Sequence, residues 1–127
     1  MPDLFSLLTS ISEQLPGCRM ASIVEMESGM QLACVADEDS AAAAGADAFQ
    51  SELYRNAAGL LPLVHSDGPI ETVVLESDGT TFVAEPIGDS GYFWHVATDA
   101  DTTLGFTQAI MRKNRNKVLD GVRELLG

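Results

Sequence analysis

Two histidines, two cysteines and nineteen carboxylates are the residues with which this chain could do chemistry. His65 and His95 share no local spacing with Cys18 and Cys34 of the kind that sets four tetrahedral ligands around zinc. Asp37, Glu38 and Asp39, like Asp99 and Asp101, offer the hard oxygens that calcium takes, yet no EF-hand loop surrounds either group. Helix capping and turn chemistry account for both. Serine is plentiful without a Gly-x-Ser-x-Gly elbow or a cysteine–histidine constellation. Neither GxxxxGK(S/T) nor GxGxxG occurs, so no glycine-rich loop cradles a phosphate. His95 alternates with Phe93 and Ala97 on one strand face and reads as a core or interface histidine. These residues predict no metal, no cofactor and no catalytic group: the chain reads as a non-enzyme.

The cysteines are expected to stay reduced. With a hairpin turning near Ser28, Cys34 falls opposite position 22, leaving Cys18 roughly 13 Å away at ~3.3 Å per residue. That is beyond the reach of a disulfide, and buried free thiols fit a reducing compartment.

Charge is the other chemical resource. The chain carries a formal −12, unevenly spread. Arg112, Lys113, Arg115, Lys117 and Arg123 lie in the last sixteen positions with Asp120 and Glu124, which leaves that tail +3 and the remainder −15. An acidic body repels phosphates, which argues against nucleic-acid binding. The basic patch at Arg112, Lys113, Arg115 and Lys117 either attracts an acidic partner or is a solvated helix flank. No apolar run approaches the roughly 18 residues of a membrane span, and Met1-Pro2-Asp3 lacks the positive region of a signal peptide. A single domain over 1–127 in the cytoplasm is the expectation.

Positioning these groups falls to elements with legible boundaries. Asp3 can cap a helix in which Leu4, Leu7, Leu8, Ile11 and Leu15 recur at helical spacing, stopped by Pro16-Gly17. Strands follow at about Cys18 to Met26 and Met30 to Ala36. The first is apolar on both faces, with Met20, Val24 and Met26 on one and Ala21 and Ile23 on the other, as in a strand covered on both sides. Asp37-Glu38-Asp39-Ser40 closes this hairpin and caps a helix from Ala41 to about Leu61. Its expected core stripe is Ala42, Ala46, Phe49, Leu53, Ala57, Leu60 and Val64. A second, small-residue face of Ala44, Ala48, Ser51, Tyr54, Arg55 and Ala58 either admits another helix or reflects alanine's helix propensity alone. Then come strands at Ile70 to Ser77, Thr80 to Ile87 and Tyr92 to Thr98. Asp78-Gly79 joins the first two as a type I′ turn, which needs positive φ at both central residues. A last helix runs from about Thr103 to Leu126 on Leu104, Met111, Val118, Leu119, Val122, Leu125 and Leu126. Arg115 falls inside that stripe by angle, where it must snorkel or meet a carboxylate. The order α-β-β-α-β-β-β-α predicts an α+β domain with one five-stranded antiparallel sheet sandwiched by helices.

Several local sequences resemble the roadblock/dynein light chain domain, and the resemblance covers nearly the whole chain. They are the leading helix into Leu15-Pro16-Gly17-Cys18, the stretch Ala21 to Met30 like that family's first hairpin, and Val96-Ala97-Thr98-Asp99 through Thr103-Leu104-Gly105-Phe106. The last is like its final strand and helix start, with Thr103 where the family often has Asn. The resemblance implies a roadblock/profilin-like fold and a binding module. It implies a homodimer in which second helices pack together and middle strands join across a two-fold axis. Ala44, Ala48, Ser51, Tyr54, Arg55 and Ala58 would then line the interface with Thr72 and Val74 of the edge strand. Bacterial members regulate Ras-like small GTPases, others are dynein light chains or scaffold subunits. A regulator or scaffold of such a GTPase is the preferred expectation, Arg55 being an interface ion-pair residue or an arginine finger. A small metabolite-sensing domain and a structural adaptor subunit are the alternatives.

Overall fold

Alternating apolar residues from Cys18 onward build the middle of one sheet. The computed structural model describes residues 3–37, 40–99 and 101–127, the side chains of 40–42 excepted. Its elements are α1 (Leu4–Glu13), β1 (Cys18–Glu25), β2 (Gln31–Ala36), α2 (Ser40–Leu60), a 3-10 turn (Leu61–Val64), β3 (Val73–Glu76), β4 (Thr80–Pro86), β5 (Tyr92–Asp99) and α3 (Leu104–Leu126). The five strands form one sheet in the order β2-β1-β5-β4-β3, antiparallel at every pairing. The expected order of elements and the sandwiched sheet are both present. The expected acidic cap at Glu38 and Asp39, the burial of Ala42 and the turn at Ala100 lie outside the described residues.

One face of the sheet carries the larger core. Ala21 and Ile23 of β1, Val83 of β4 and Trp94 and Val96 of β5 meet Leu4, Leu8 and Ile11 of α1 and Met111, Val118 and Val122 of α3. Asp3 caps α1, its carboxylate accepting from the Ser6 N–H at 2.7 Å, and Thr103 caps α3 by accepting from Phe106 N–H at 3.2 Å. Each cap satisfies one of the donors a helix start leaves open. α2 alone crosses the opposite face, over Met20, Val24, Ala84, Phe93 and Ala97. β1 and β5 are therefore buried on both sides, as the doubly apolar pattern of β1 predicts.

Three local expectations change. Neither Asp78 nor Gly79 has positive φ, so the β3–β4 turn is not type I′. Instead the Ser77 hydroxyl accepts from Thr80 N–H at 3.2 Å and Ser77 N–H donates to Thr80 O at 2.9 Å, closing the loop through a side chain. β3 begins at Val73, so Ile70, Glu71 and Thr72 precede the ladder. Cys34 does pair with Ser22 in register. Both thiols are free and only partly buried, and burial pushes the Cys18 thiol up to about 11. Such a thiol holds little thiolate at neutral pH and is a poor nucleophile.

The α1–β1 corner depends on Gly17. Its φ is +76°, and an added Cβ would run into the Asp99 carboxylate. Its carbonyl accepts from Asp99 N–H at 2.9 Å, and the Thr102 hydroxyl donates to Pro16 O next door. Gly17→Ala is expected to cost about 2 kcal/mol or more, through both strain and overlap. Urea unfolding followed by Trp94 fluorescence checks this; an unshifted midpoint would contradict it.

Candidate functional site

The rotation of α2 about its own axis decides which of its residues can meet a partner. Ala43, Asp47, Gln50, Ser51 and Tyr54 face the sheet and are buried. At 3.6 residues per turn these positions form one stripe, but it is mostly polar. Its centre is a hydrogen bond with no solvent exposure on either side chain: His95 Nε2 donates to the Asp47 Oδ1 carboxylate oxygen at 2.7 Å. The other carboxylate oxygen accepts from Gln31 Nε2 at 2.7 Å. His95 Nδ1 has no partner among the described residues. Tyr54 stacks on Phe93 with ring centroids 5.1 Å apart and planes 13° from parallel. Burial pushes its hydroxyl up to about 12.

This arrangement corrects the expected core stripe of α2. Phe49 is 75% exposed, and Leu60 and Val64 are more than half exposed. Sequence reasoning misses Asp47, because it selects the stripe for apolar content. The signal available is the 43, 47, 50/51, 54 spacing itself, which matches a strand face carrying Ser22 and His95 in register. A helix whose inward stripe is polar keeps its large apolar residues for something other than its own sheet.

The residues expected at a subunit interface divide. Ser51 and Tyr54 are buried against the chain's own sheet. Arg55 is exposed, and its Nη1 donates to Met26 O at 2.7 Å, to Glu27 O at 3.0 Å and to the Ser51 hydroxyl. The arginine braces α2 against the β1–β2 turn, where Ser51 Oγ also donates to Met26 O at 2.7 Å. Gly29 packs under the same flank, against Ala48 and Ser51. Ala44, Ala48 and Ala58 are exposed. On the opposite flank Ala46, Leu53 and Ala57 are half-buried, and Ala46, like Phe82 of β4, packs against the cluster of Met20, Ala43 and Ala97. Along that half Leu75 pairs with Phe82 and is half exposed, and Val74 is exposed on the other face of β3. Thr72 is exposed just ahead of the ladder. The outer edge of β3 has no neighbouring strand among the described residues.

On the far side of the sheet Arg115 meets its carboxylate. Glu85, almost fully buried, accepts from Arg115 Nη2 at 3.1 Å and from the Trp94 indole N–H at 3.1 Å. Arg112, Lys113 and Lys117 are exposed and form no ion pair among the described residues. No cluster of His, Cys, Asp and Glu that could hold a metal ion occurs among the described residues. No helix there is long and apolar enough to cross a membrane.

With this geometry in hand, comparison with solved structures defines the class of fold. A Roadblock/LC7 domain from Streptomyces avermitilis is 20% identical over 98% of each chain, with a TM-score of 0.82. The gliding protein MglB from Thermus thermophilus is 12% identical over 94% of this chain and 87% of its own, with a TM-score of 0.80. MglC from Myxococcus xanthus is 23% identical over 91% of this chain and 95% of its own, with a TM-score of 0.63. The chain therefore has the roadblock/LC7 fold, as its sequence resemblance implies. No protein-family model matches the sequence, and no curated protein matches it.

Removing the Asp47 carboxylate strands the buried His95 Nε2 donor and frees the exposed Gln31 amide. Asp47→Ala is expected to lower stability by about 3 kcal/mol. Asp47→Leu combined with His95→Phe should recover much of that, since neither buried partner is then left alone. Urea titrations of the two variants check the difference; equal losses would contradict this role.

Proposed function

We propose that this protein is a non-catalytic, homodimeric binding module that regulates or scaffolds a Ras-like small GTPase. The observation that carries the dimer is the apolar surface α2 leaves uncovered. Phe49, Leu60, Leu63 and Val64 project outward along α2 and its 3-10 turn. Among the described residues the β3 edge is unpaired, with Val74 and Leu75 exposed. Exposed apolar surface of this kind marks an interaction site. An open edge is likewise a liability that a symmetric partner satisfies. The interface we propose is the flank of Ala46, Phe49, Leu53 and Ala57 together with β3, Thr72 and Val74 near its edge. Ala44, Ala48 and Ala58 lie on the flank nearer the β1–β2 turn and are peripheral to it.

The GTPase part of the proposal rests on the roadblock fold and on the role of the bacterial proteins the sequence resembles. It is an argument from fold, not from a catalytic site. Arg55 is held by three acceptors of its own chain, so hydrolysis, if accelerated, depends on the GTPase's own residues being positioned.

One observation favours a second reading, that of a metabolite-binding domain. A cavity of about 380 Å³ lies beneath the first half of α2, lined by Met20, Ala43, Ala46, Phe82 and Ala97 with Arg19 and Asp37. Its size falls within the range of small-molecule sites. A small molecule retained through purification and identified by mass spectrometry would favour that reading.

Two outcomes test the main proposal. In sedimentation equilibrium the wild type should be a dimer, and Phe49→Glu should shift it to monomer by at least about tenfold in Kd. Mixed with small GTPases loaded with GDP or a GTP analogue, the protein should bind one nucleotide state about tenfold more tightly. Binding to none of them, or equally to both states, would contradict regulation.

A further inference from the structure

The basic residues of α3 are not one patch. Arg112 and Arg115 line a cavity of about 410 Å³ bounded by Pro69 and Ile70 of the segment before β3 and by Pro86 at the end of β4, with buried Glu85 on the sheet side. Lys113 and Lys117 do not line it. We propose that this cavity is a docking site for a short acidic segment of a partner protein, whose carboxylates pair with Arg112 and Arg115 while its apolar atoms lie on the two prolines.

Three features of the site point to that occupant. First, Arg115 is oriented before any ligand arrives. Two of its nitrogens donate to Glu85, Nε at 3.4 Å and Nη2 at 3.1 Å, yet its side chain is 49% exposed. A guanidinium fixed in this way loses little freedom on meeting a carboxylate. Second, Arg112 is an exposed cation with no ion pair among the described residues, one helical turn from Arg115. Glu85 is committed inward to Arg115 and Trp94, so it does not neutralise Arg112. Third, the chain outside the basic tail is −15. A long polyanion such as nucleic acid, or an anionic bilayer, would bring many charges against that body. A short segment with a few carboxylates engages only the local cations, within about 8 Å at physiological salt. Glu71 is the exposed acid on the wall of the cavity; it opposes such a ligand and gives the test a variant that should gain affinity. The site stands apart from the α2 flank, and its fate does not depend on the GTPase reading.

Trp94 supplies the readout, being the sole tryptophan and hydrogen-bonded to the carboxylate that holds Arg115. A phage-displayed random heptapeptide library is selected on the wild-type protein and counter-selected on Arg112→Glu. The expected winners carry two or more Asp or Glu and change Trp94 emission on binding. Their affinity, measured by fluorescence anisotropy, should fall about tenfold or more with Arg112→Glu. It should rise severalfold with Glu71→Gln and change less than about twofold with Lys117→Glu. No enrichment, enrichment without acidic residues, or an equal loss with Lys117→Glu would overturn the proposal. So would tighter binding of a random single-stranded oligonucleotide or of phosphatidylserine vesicles at the same cavity.

Discussion

The contact between Asp47 and His95 is the constraint on which the arrangement of this molecule turns. A carboxylate and an imidazole with no solvent exposure, 2.7 Å apart, leave α2 only one rotation in which both are satisfied. Any other rotation buries a charge without a partner, at a cost of several kcal/mol. Gln31 ties the same carboxylate to β2, and Arg55 and Ser51 tie the helix to the β1–β2 turn. With the polar stripe locked inward, the large apolar residues of α2 have nowhere to go but outward. A fold-specifying interaction and an exposed apolar face are thus two sides of one helix.

The opposite face of the sheet repeats the device in a different form. There a buried carboxylate, Glu85, receives the indole N–H of Trp94 and the guanidinium of Arg115. This joins the core to the last helix and leaves a half-exposed arginine at a groove. Each face of the sheet thus has one buried acid that fixes the helix above it. In both places the exposed consequence is a surface, apolar on the α2 side and cationic on the α3 side.

Much of this was legible in the residues. Capping by Asp3, the stop at Pro16-Gly17 and the two-sided burial of β1 follow from local chemistry, which tertiary contacts here reinforce. Arg115 inside an apolar stripe called for a carboxylate, and Glu85 answers it. The face of α2 was not legible, because hydrophobic periodicity assumes that apolar residues point to the chain's own core. Here Phe49 and Leu60 lie off the stripe that His95 selects, a strand residue forty-eight positions from Asp47. The Asp78-Gly79 turn misled for a local reason. A Ser77 hydroxyl standing in for a backbone group removes the need for positive φ. The bracing of Arg55 by carbonyls of the β1–β2 turn was equally hidden, since backbone acceptors leave no mark in the sequence.

Whether α2 turns the flank of Ala46, Phe49, Leu53 and Ala57 toward a second copy, as proposed, is read out by a cysteine scan. In a Cys18→Ser, Cys34→Ser background, single cysteines are placed at those four positions and at Ala44, Ala48 and Ala58, then oxidised and run without reductant. Intersubunit disulfides are expected within the first set and none in the second. Cross-linking confined to the second set, or absent from both, would contradict it.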